Sequence, residues 1–167
     1  MPEQIFPVNT THPLPCKGDL GAFGTVRRFD IHTGIDLYCK EDAAVSSIEE
    51  GVVVAVEKFT GEHAGSPWWN NTWAVLVEGP SGVICYGEIV PSVEVGQRVH
   101  MGGLLGHVTP VLKKDKGVTP VTMLHFELYE EGTRESVWWR LGEPCPENLK
   151  DPTSLLKKLL SANQKRY

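Results

Sequence analysis

The sequence predicts a mostly β fold: a single antiparallel sheet or sandwich that ends in one short C-terminal helix. Runs rich in β-branched residues recur between turn signals, and 17 glycines and 12 prolines interrupt the chain too often for long helices. Helical periodicity is clear only near the C terminus. A length of 167 residues suits one domain with its own core, so we expect residues 1–167 to form a single domain.

The strand predictions rest on short apolar segments bounded by glycine, proline or polar clusters. They cover residues 51–57, 73–78, 82–86, about 98–105 and 122–129. Gly79-Pro80-Ser81-Gly82 joins the second and third of them and has the residue types of a tight hairpin turn. The helix is predicted over residues 154–160, with Asp151 or Thr153 as its cap and Pro152 in its first turn.

Charge and hydropathy exclude two classes of partner. The net charge is −5 and basic residues concentrate only at the C terminus, so we expect no nucleic-acid binding. No segment approaches the ~20 apolar residues of a membrane span. The N terminus lacks a basic and apolar leader, which predicts a cytoplasmic protein or one released without a signal peptide.

Four scattered cysteines form no C-x-x-C pair, which favours reduced thiols in a cytoplasmic protein. A bridge between Cys16 and Cys39 is the alternative if the protein is exported.

His32 and Asp36 are the first candidate metal ligands. On a straight strand they would lie ~13 Å apart, too far to share one ion. Gly34 between them permits a bend that brings both side chains inward.

His125 is the third candidate ligand. Alternation along residues 122–129 puts it on the strand face opposite the apolar Leu124, Phe126 and Leu128, together with Met123 and Glu127. Two imidazoles and one carboxylate leave an open position for water, as catalytic zinc sites do.

Several short motifs follow one another along residues 19–128, with a tail at 148–160. In chain order they are Gly21-Ala22-Phe23-Gly24, Arg27 or Arg28, His32-Thr33-Gly34-Ile35-Asp36-Leu37, Gly51-Val52-Val53, Tyr86, Val95-Gly96-Gln97-Arg98-Val99, Leu104-Leu105-Gly106, Leu124-His125-Phe126-Glu127 and Asn148-Leu149-Lys150-Asp151-Pro152-Thr153. The succession resembles the lysostaphin/LytM-type zinc metallopeptidases, a glycyl-glycine endopeptidase-like family. The resemblance implies a LytM-type domain, one Zn²⁺ per chain on His32, Asp36 and His125, and a peptide or peptidoglycan-like ligand.

Two assisting histidines of that family are replaced in this chain. Glu88 stands where the Tyr-x-His-Leu motif has its histidine, and Met123 stands for the first histidine of His-x-His. Three interpretations of Glu88 stay open: a catalytic base, a fourth metal ligand, or a solvated carboxylate at a strand end. His107 and His63 are candidate substitutes for the missing histidines, although both are more typical of surface positions.

Two loops, at 59–71 and 109–120, are longer than connectivity requires, and such loops are often functional rims. Trp68 and Trp69 lie in the first and are predicted to bind substrate; Trp138-Trp139 is a weaker candidate.

The resemblance leaves two hypotheses for function. One is a zinc metalloendopeptidase that hydrolyses cell-wall-type peptides by metal-bound water, at a low rate because both assisting histidines are replaced. The other is a catalytically inactive, metal-containing binding or scaffold module on the same fold.

Overall fold

The computed structural model describes residues 4–113 and 122–164. The strands in chain order are β1 (Ile35–Tyr38), β2 (Ala44–Ser46), β3 (Gly51–Thr60), β4 (Thr72–Gly79), β5 (Gly82–Pro91), β6 (Arg98–Val99), β7 (Leu104–Val108), β8 (Met123–Tyr129) and β9 (Leu149–Lys150). A short 3-10 turn at Glu62–Ala64 follows β3, and the helix α1 (Thr153–Gln164) follows β9. The predicted mostly β fold with a short C-terminal helix is therefore confirmed.

All strand pairs are antiparallel and belong to one sheet in the order β1-β8-β5-β4-β3-β6. β7 pairs with the end of β5 and with β2, and β9 pairs with β8. β5 is thus the central strand: its first half lies between β4 and β8, and its last residues pair with β7. The change of partner falls at Glu88, between Gly87 and Ile89.

The turn chemistry explains where the strands begin and end. The hairpin at 79–82 is confirmed, since Gly79 pairs with Gly82 and only Pro80 and Ser81 form the loop. Gly82 has φ 115°, a value that residues with a Cβ rarely adopt. The region around 98–105 forms two short strands, because a turn with Gly102 at φ 81° separates β6 from β7.

The sheet buries apolar side chains on both faces. Leu124, Phe126 and Leu128 of β8 enter the larger core cluster, where Leu156 and Leu159 of α1 also pack. The second cluster covers the opposite face and contains Ala74, Leu76, Val83, Cys85, Tyr129 and Leu149. Because strand side chains alternate, His125 and Glu127 project toward the second face, as the sequence pattern predicts.

The helix start and the two predicted loops can be compared with the sequence prediction. The Thr153 amide donates to Asp151 Oδ1 at 2.9 Å, which caps the start of α1. The loop predicted at 59–71 is shortened at its start because β3 continues to Thr60. Most of the loop predicted at 109–120 lies outside the described residues.

Within the described ranges, Cys16 and Cys145 are exposed free thiols, and Cys39 and Cys85 are buried free thiols. In this part of the chain no helix is long and apolar enough to cross a membrane.

Candidate metal centre

Three side chains predicted as metal ligands meet at one point. His32 Nε2 lies 3.2 Å from Asp36 Oδ1, and His125 Nδ1 lies 3.0 Å from the same oxygen. The two ring nitrogens are 3.2 Å apart, so the three donor atoms form a nearly equilateral triangle. All three residues are buried, each with 5% of its surface exposed.

The triangle has the size that one zinc ion requires. Ligand atoms about 2.0–2.1 Å from a tetrahedral ion are separated by about 3.3–3.4 Å, slightly more than the distances between these donors. Among the described residues, His32, Asp36 and His125 form a group whose donor atoms lie close enough to one another to share a metal ion. The donor set therefore fits a divalent ion with three protein ligands and an open fourth position.

Strand pairing and a close backbone approach create this arrangement. Asp36 and His125 are direct partners in the β1–β8 pair. His32 precedes β1 and reaches the same point because the chain bends at Gly34, as predicted. A Cβ at Gly34 would collide with the carbonyl oxygen of Phe126 in β8, so only glycine permits the loop to lie so close to the sheet.

Each imidazole is oriented through its second nitrogen. His32 Nδ1 lies 2.9 Å from the carbonyl oxygen of Ala22 and donates to it, which leaves Nε2 for the metal. His125 Nε2 lies 3.0 Å from Glu127 Oε2, which leaves Nδ1 for the metal. The two histidines thus present different ring nitrogens, a detail that the sequence does not reveal.

Both carboxylate oxygens of Asp36 have partners that favour its ionised form. Oδ1 contacts the two histidines, and Arg27 Nη2 lies 3.3 Å from Oδ2. Burial alone would raise the pKa of Asp36, but its hydrogen bonds with His125 and His32 outweigh burial and lower the pKa far below its usual range. Asp36 therefore offers the metal an ionised carboxylate.

Sequence reasoning did not assign a role to Arg27 or Glu127. Glu127 had a signal in the sequence, since it alternates onto the same strand face as His125. Arg27 was one of two candidate arginines in the succession of motifs, but its contact with Asp36 arises only when the loop before β1 folds back.

Glu88 lies inside β5, and its Oε2 is enclosed. The interpretation as a solvated carboxylate at a strand end is therefore wrong. Glu88 has a φ of 66°, which is unusual for a residue with a Cβ, and it is the extra residue of a bulge, because Gly87 and Ile89 pair with the consecutive residues Ala74 and Trp73 of β4. The bulge turns the side chain into the cleft beside the metal ligands. Among the described residues, no hydrogen-bond partner reaches its enclosed Oε2.

The cleft has a volume of about 390 Å³ and is shared by the metal ligands and nearby acidic and aromatic groups. Its lining includes His32, His125, Glu88, Glu127, Glu57, Phe59, Trp69 and Trp138. Trp68 contacts Trp69 edge-on, with ring centroids 5.9 Å apart, and is 53% exposed beside the cleft. Binding of substrate by Trp68 and Trp69 stays a prediction.

The proposed substitute histidines lie elsewhere. His63 Nε2 is 2.9 Å from the carbonyl oxygen of Thr72, and its ring packs edge-on against Trp73. His107 pairs with Ala44 and Val90 within the sheet. Neither histidine belongs to the cleft lining.

The Glu88 carboxyl predicts a pH-dependent stability of the metal-free protein. Burial, followed by the negative charge of Asp36, raises the pKa of Glu88 to about 8 from the ordinary 4.5. The folded state then holds this proton between pH 4.5 and 8 while the unfolded state releases it, so the folded state loses stability as pH rises. Glu88→Gln removes this loss, on the order of a few kcal/mol.

Urea unfolding in the presence of a chelator checks this expectation. Glu88→Gln should gain stability over the wild type at pH 8.5 and show little difference at pH 4.5. An equal difference at both pH values would contradict the burial of an ionisable carboxyl here.

Comparisons with known proteins agree with the fold and identify a family. The family model described as Peptidase family M23 matches residues 30–136, which include all three ligands. The sequence has no significant match among the curated proteins.

Solved structures share the fold. Cbpa from L. salivarius REN is 20% identical with a TM-score of 0.53, over 85% of this chain and 87% of that one. Lysostaphin is 18% identical with a TM-score of 0.50, over 95% of this chain and 51% of that one. Csd3 from Helicobacter pylori is 20% identical with a TM-score of 0.50; the match covers 98% of this chain but only 40% of Csd3.

A family match over 30–136, a shared fold and three converging ligand side chains agree with one another, and the chain belongs to peptidase family M23.

Proposed function

We propose that this protein is a zinc-dependent peptidase that hydrolyses cell-wall-type peptides at a low rate. The observation that carries the proposal is the triangle of His32, Asp36 and His125, whose 3.0–3.2 Å edges match one face of a zinc tetrahedron. Both histidines line the cleft, so an ion held there is accessible to a ligand. Zinc in such a site polarises a carbonyl and lowers the pKa of bound water to about 7.

Glu88 is the group best placed to accept a proton in this cleft. Two carboxylates lie beside the ligands, the buried Glu127 and the half-buried Glu88, and they differ in their partners. Glu127 receives hydrogen bonds on both oxygens, whereas Oε2 of Glu88 has no partner among the described residues.

The substrate class follows from the family and from the cleft. Peptidases of this family act on peptide bonds, and the cleft beside the ligands is open and lined by polar and aromatic groups. Trp69 in its lining offers a flat apolar surface to a peptide backbone or side chain. Peptide cross-links like those of bacterial cell walls are therefore the substrates to test first.

A specific observation favours a second function, that of a catalytically inactive binding module with zinc. Met123, the strand partner of Tyr38 two residues before His125, has a thioether that neither moves a proton nor donates a hydrogen bond to an oxyanion. If Glu88 ligates the ion instead of acting as a base, the fourth position is closed and only binding remains.

Metal analysis and a cleavage assay distinguish the two functions. Protein supplied with zinc should carry close to one zinc per chain by elemental analysis. It should release fragments from peptidoglycan or oligoglycine slowly, and a chelator should stop the release. One zinc per chain with binding of the peptides but no cleavage would identify the inactive module; absence of zinc would contradict both functions.

A further inference from the structure

We propose that Glu127 is a positioning residue that fixes His125 as a metal ligand through Nδ1. The inference rests on the proposed zinc site, and it assigns a function to a buried carboxylate that neither chelates the ion nor needs to touch substrate. Glu127 is fully buried, with 0% of its surface exposed, and shares a strand face with His125.

The carboxylate of Glu127 is held by four donors. His125 Nε2 lies 3.0 Å from Oε2, and Thr33 Oγ1 donates to the same oxygen. The Tyr129 hydroxyl donates to Oε1 at 2.8 Å, and Ser136 Oγ donates to Oε1 at 2.6 Å. Four donors on two oxygens satisfy an ionised carboxylate and prevent it from rotating away from the imidazole.

The hydrogen bond to Glu127 decides which nitrogen of His125 is free. An ionised carboxylate only accepts hydrogen bonds, so Nε2 of His125 must carry the proton. In the zinc-loaded protein the lone pair is then left on Nδ1, the nitrogen that lies 3.0 Å from Asp36 Oδ1 and 3.2 Å from His32 Nε2. Glu127 thereby selects the tautomer that completes the triangle of donors.

The charge of Glu127 distinguishes His125 from the other histidine ligand. His32 donates to the neutral carbonyl oxygen of Ala22, whereas His125 donates to an anion. A carboxylate partner makes an imidazole more basic and a stronger ligand, and loss of such a partner commonly costs 10–100-fold in metal affinity.

The network also connects the metal centre to a segment beyond β8. Tyr129 accepts a hydrogen bond from the Val137 amide at 3.0 Å, and Ser136 precedes Val137 in the chain. The position of Glu127 therefore depends on how the segment after β8 packs, and Ser136 provides a second place to perturb the same carboxylate.

Zinc affinity of Glu127→Gln tests the inference, measured by competition with a chromogenic chelator on the full chain. Glutamine keeps the size but loses the charge, and its amide can donate as well as accept, so the tautomer of His125 is no longer fixed. We expect affinity to fall by about 10–100-fold. Glu57→Gln is the matched control. Glu57 lines the same cleft, but its carboxylate accepts from the Ser136 amide, a hydrogen bond that the side-chain oxygen of glutamine keeps, so affinity should stay within about twofold.

A spectroscopic signature separates positioning from a general structural effect. In zinc-loaded wild type, the Nε2 proton of His125 should give a far-downfield, slowly exchanging ¹H NMR signal, because it is hydrogen-bonded to the buried carboxylate of Glu127. The signal should move upfield in Glu127→Gln and stay in place in Glu57→Gln.

The outcomes distinguish this inference from the proposed function. If the wild type takes up no zinc, both fail. If the wild type binds zinc and Glu127→Gln binds it as tightly as Glu57→Gln does, only the role of Glu127 is overturned. If Glu127→Gln does not fold, Ser136→Ala replaces it: weaker zinc binding with the Nε2 signal shifted supports the inference, and unchanged values overturn it.

Discussion

His125→Ala should empty the metal site, the largest effect that a single substitution is expected to have on this protein. Zinc binding in closed protein sites is worth about 10–16 kcal/mol over four ligands, so one ligand accounts for ~2.5–4 kcal/mol. That free energy corresponds to a loss of about 10²–10³-fold in zinc affinity. His32→Ala and Asp36→Ala should have effects of the same order, because all three donors are within 3.2 Å of one another.

Elemental analysis after gel filtration measures the loss of zinc, and chelator competition measures the affinity. His107→Ala is the matched control, since His107 also lies in the sheet but outside the cleft lining. The control should keep close to one zinc per chain. Retention of stoichiometric, tight zinc in His125→Ala would show that the ion binds elsewhere and would contradict the assigned centre.

Glu88→Gln should lower the peptidase rate by ~10²-fold or more and leave zinc affinity unchanged, if Glu88 accepts the proton of the attacking water. The expectation rests on an enclosed Oε2 without a partner, in a bulge whose φ of 66° turns the residue into the cleft. The measurement is the single-turnover rate on an oligoglycine or peptidoglycan substrate, alongside zinc affinity. Glu57→Gln, which removes another carboxylate of the same cleft, should retain the rate.

Other results for Glu88→Gln have distinct meanings. Weaker zinc binding would identify Glu88 as the fourth ligand, and unchanged rate and affinity would remove it from the chemistry. The double substitution Glu88→His with Met123→His is the complementary experiment, because it restores the pair of assisting histidines that the family pattern contains. An inactive wild type that gains cleavage in this variant would show that only proton handling is missing.

Local sequence pattern was sufficient for much of the fold. The hairpin at 79–82 follows from turn chemistry, and the cap of α1 by Asp151 follows from helix-end chemistry. The face of β8 that carries Leu124 and Phe126 follows from period-two alternation. Each of these depends on residues that are neighbours in the chain, so the sequence alone contains the necessary information.

The three metal ligands were also accessible from the sequence, although their spacing was not enough. His32 and Asp36 can share an ion only where the chain bends, and Gly34 signalled that bend. His125 lies far along the chain, and it joined the set through the order of motifs. The reason why glycine is required at 34, a collision with the backbone of Phe126, is a contact between separate strands.

The sequence by itself determined the β fold, the short helix, and which three side chains converge. Only the tertiary structure decided how the side chains around them are used. The sequence left three interpretations of Glu88 open. In the structure its Oε2 is enclosed, because β5 bulges and changes partners at that residue. Glu127 acquired Thr33 as a partner from a segment distant in the chain, and Arg27 reaches Asp36 because the loop before β1 folds back. Burial, tautomer and charge depend on such long-range packing, and no local pattern encodes them.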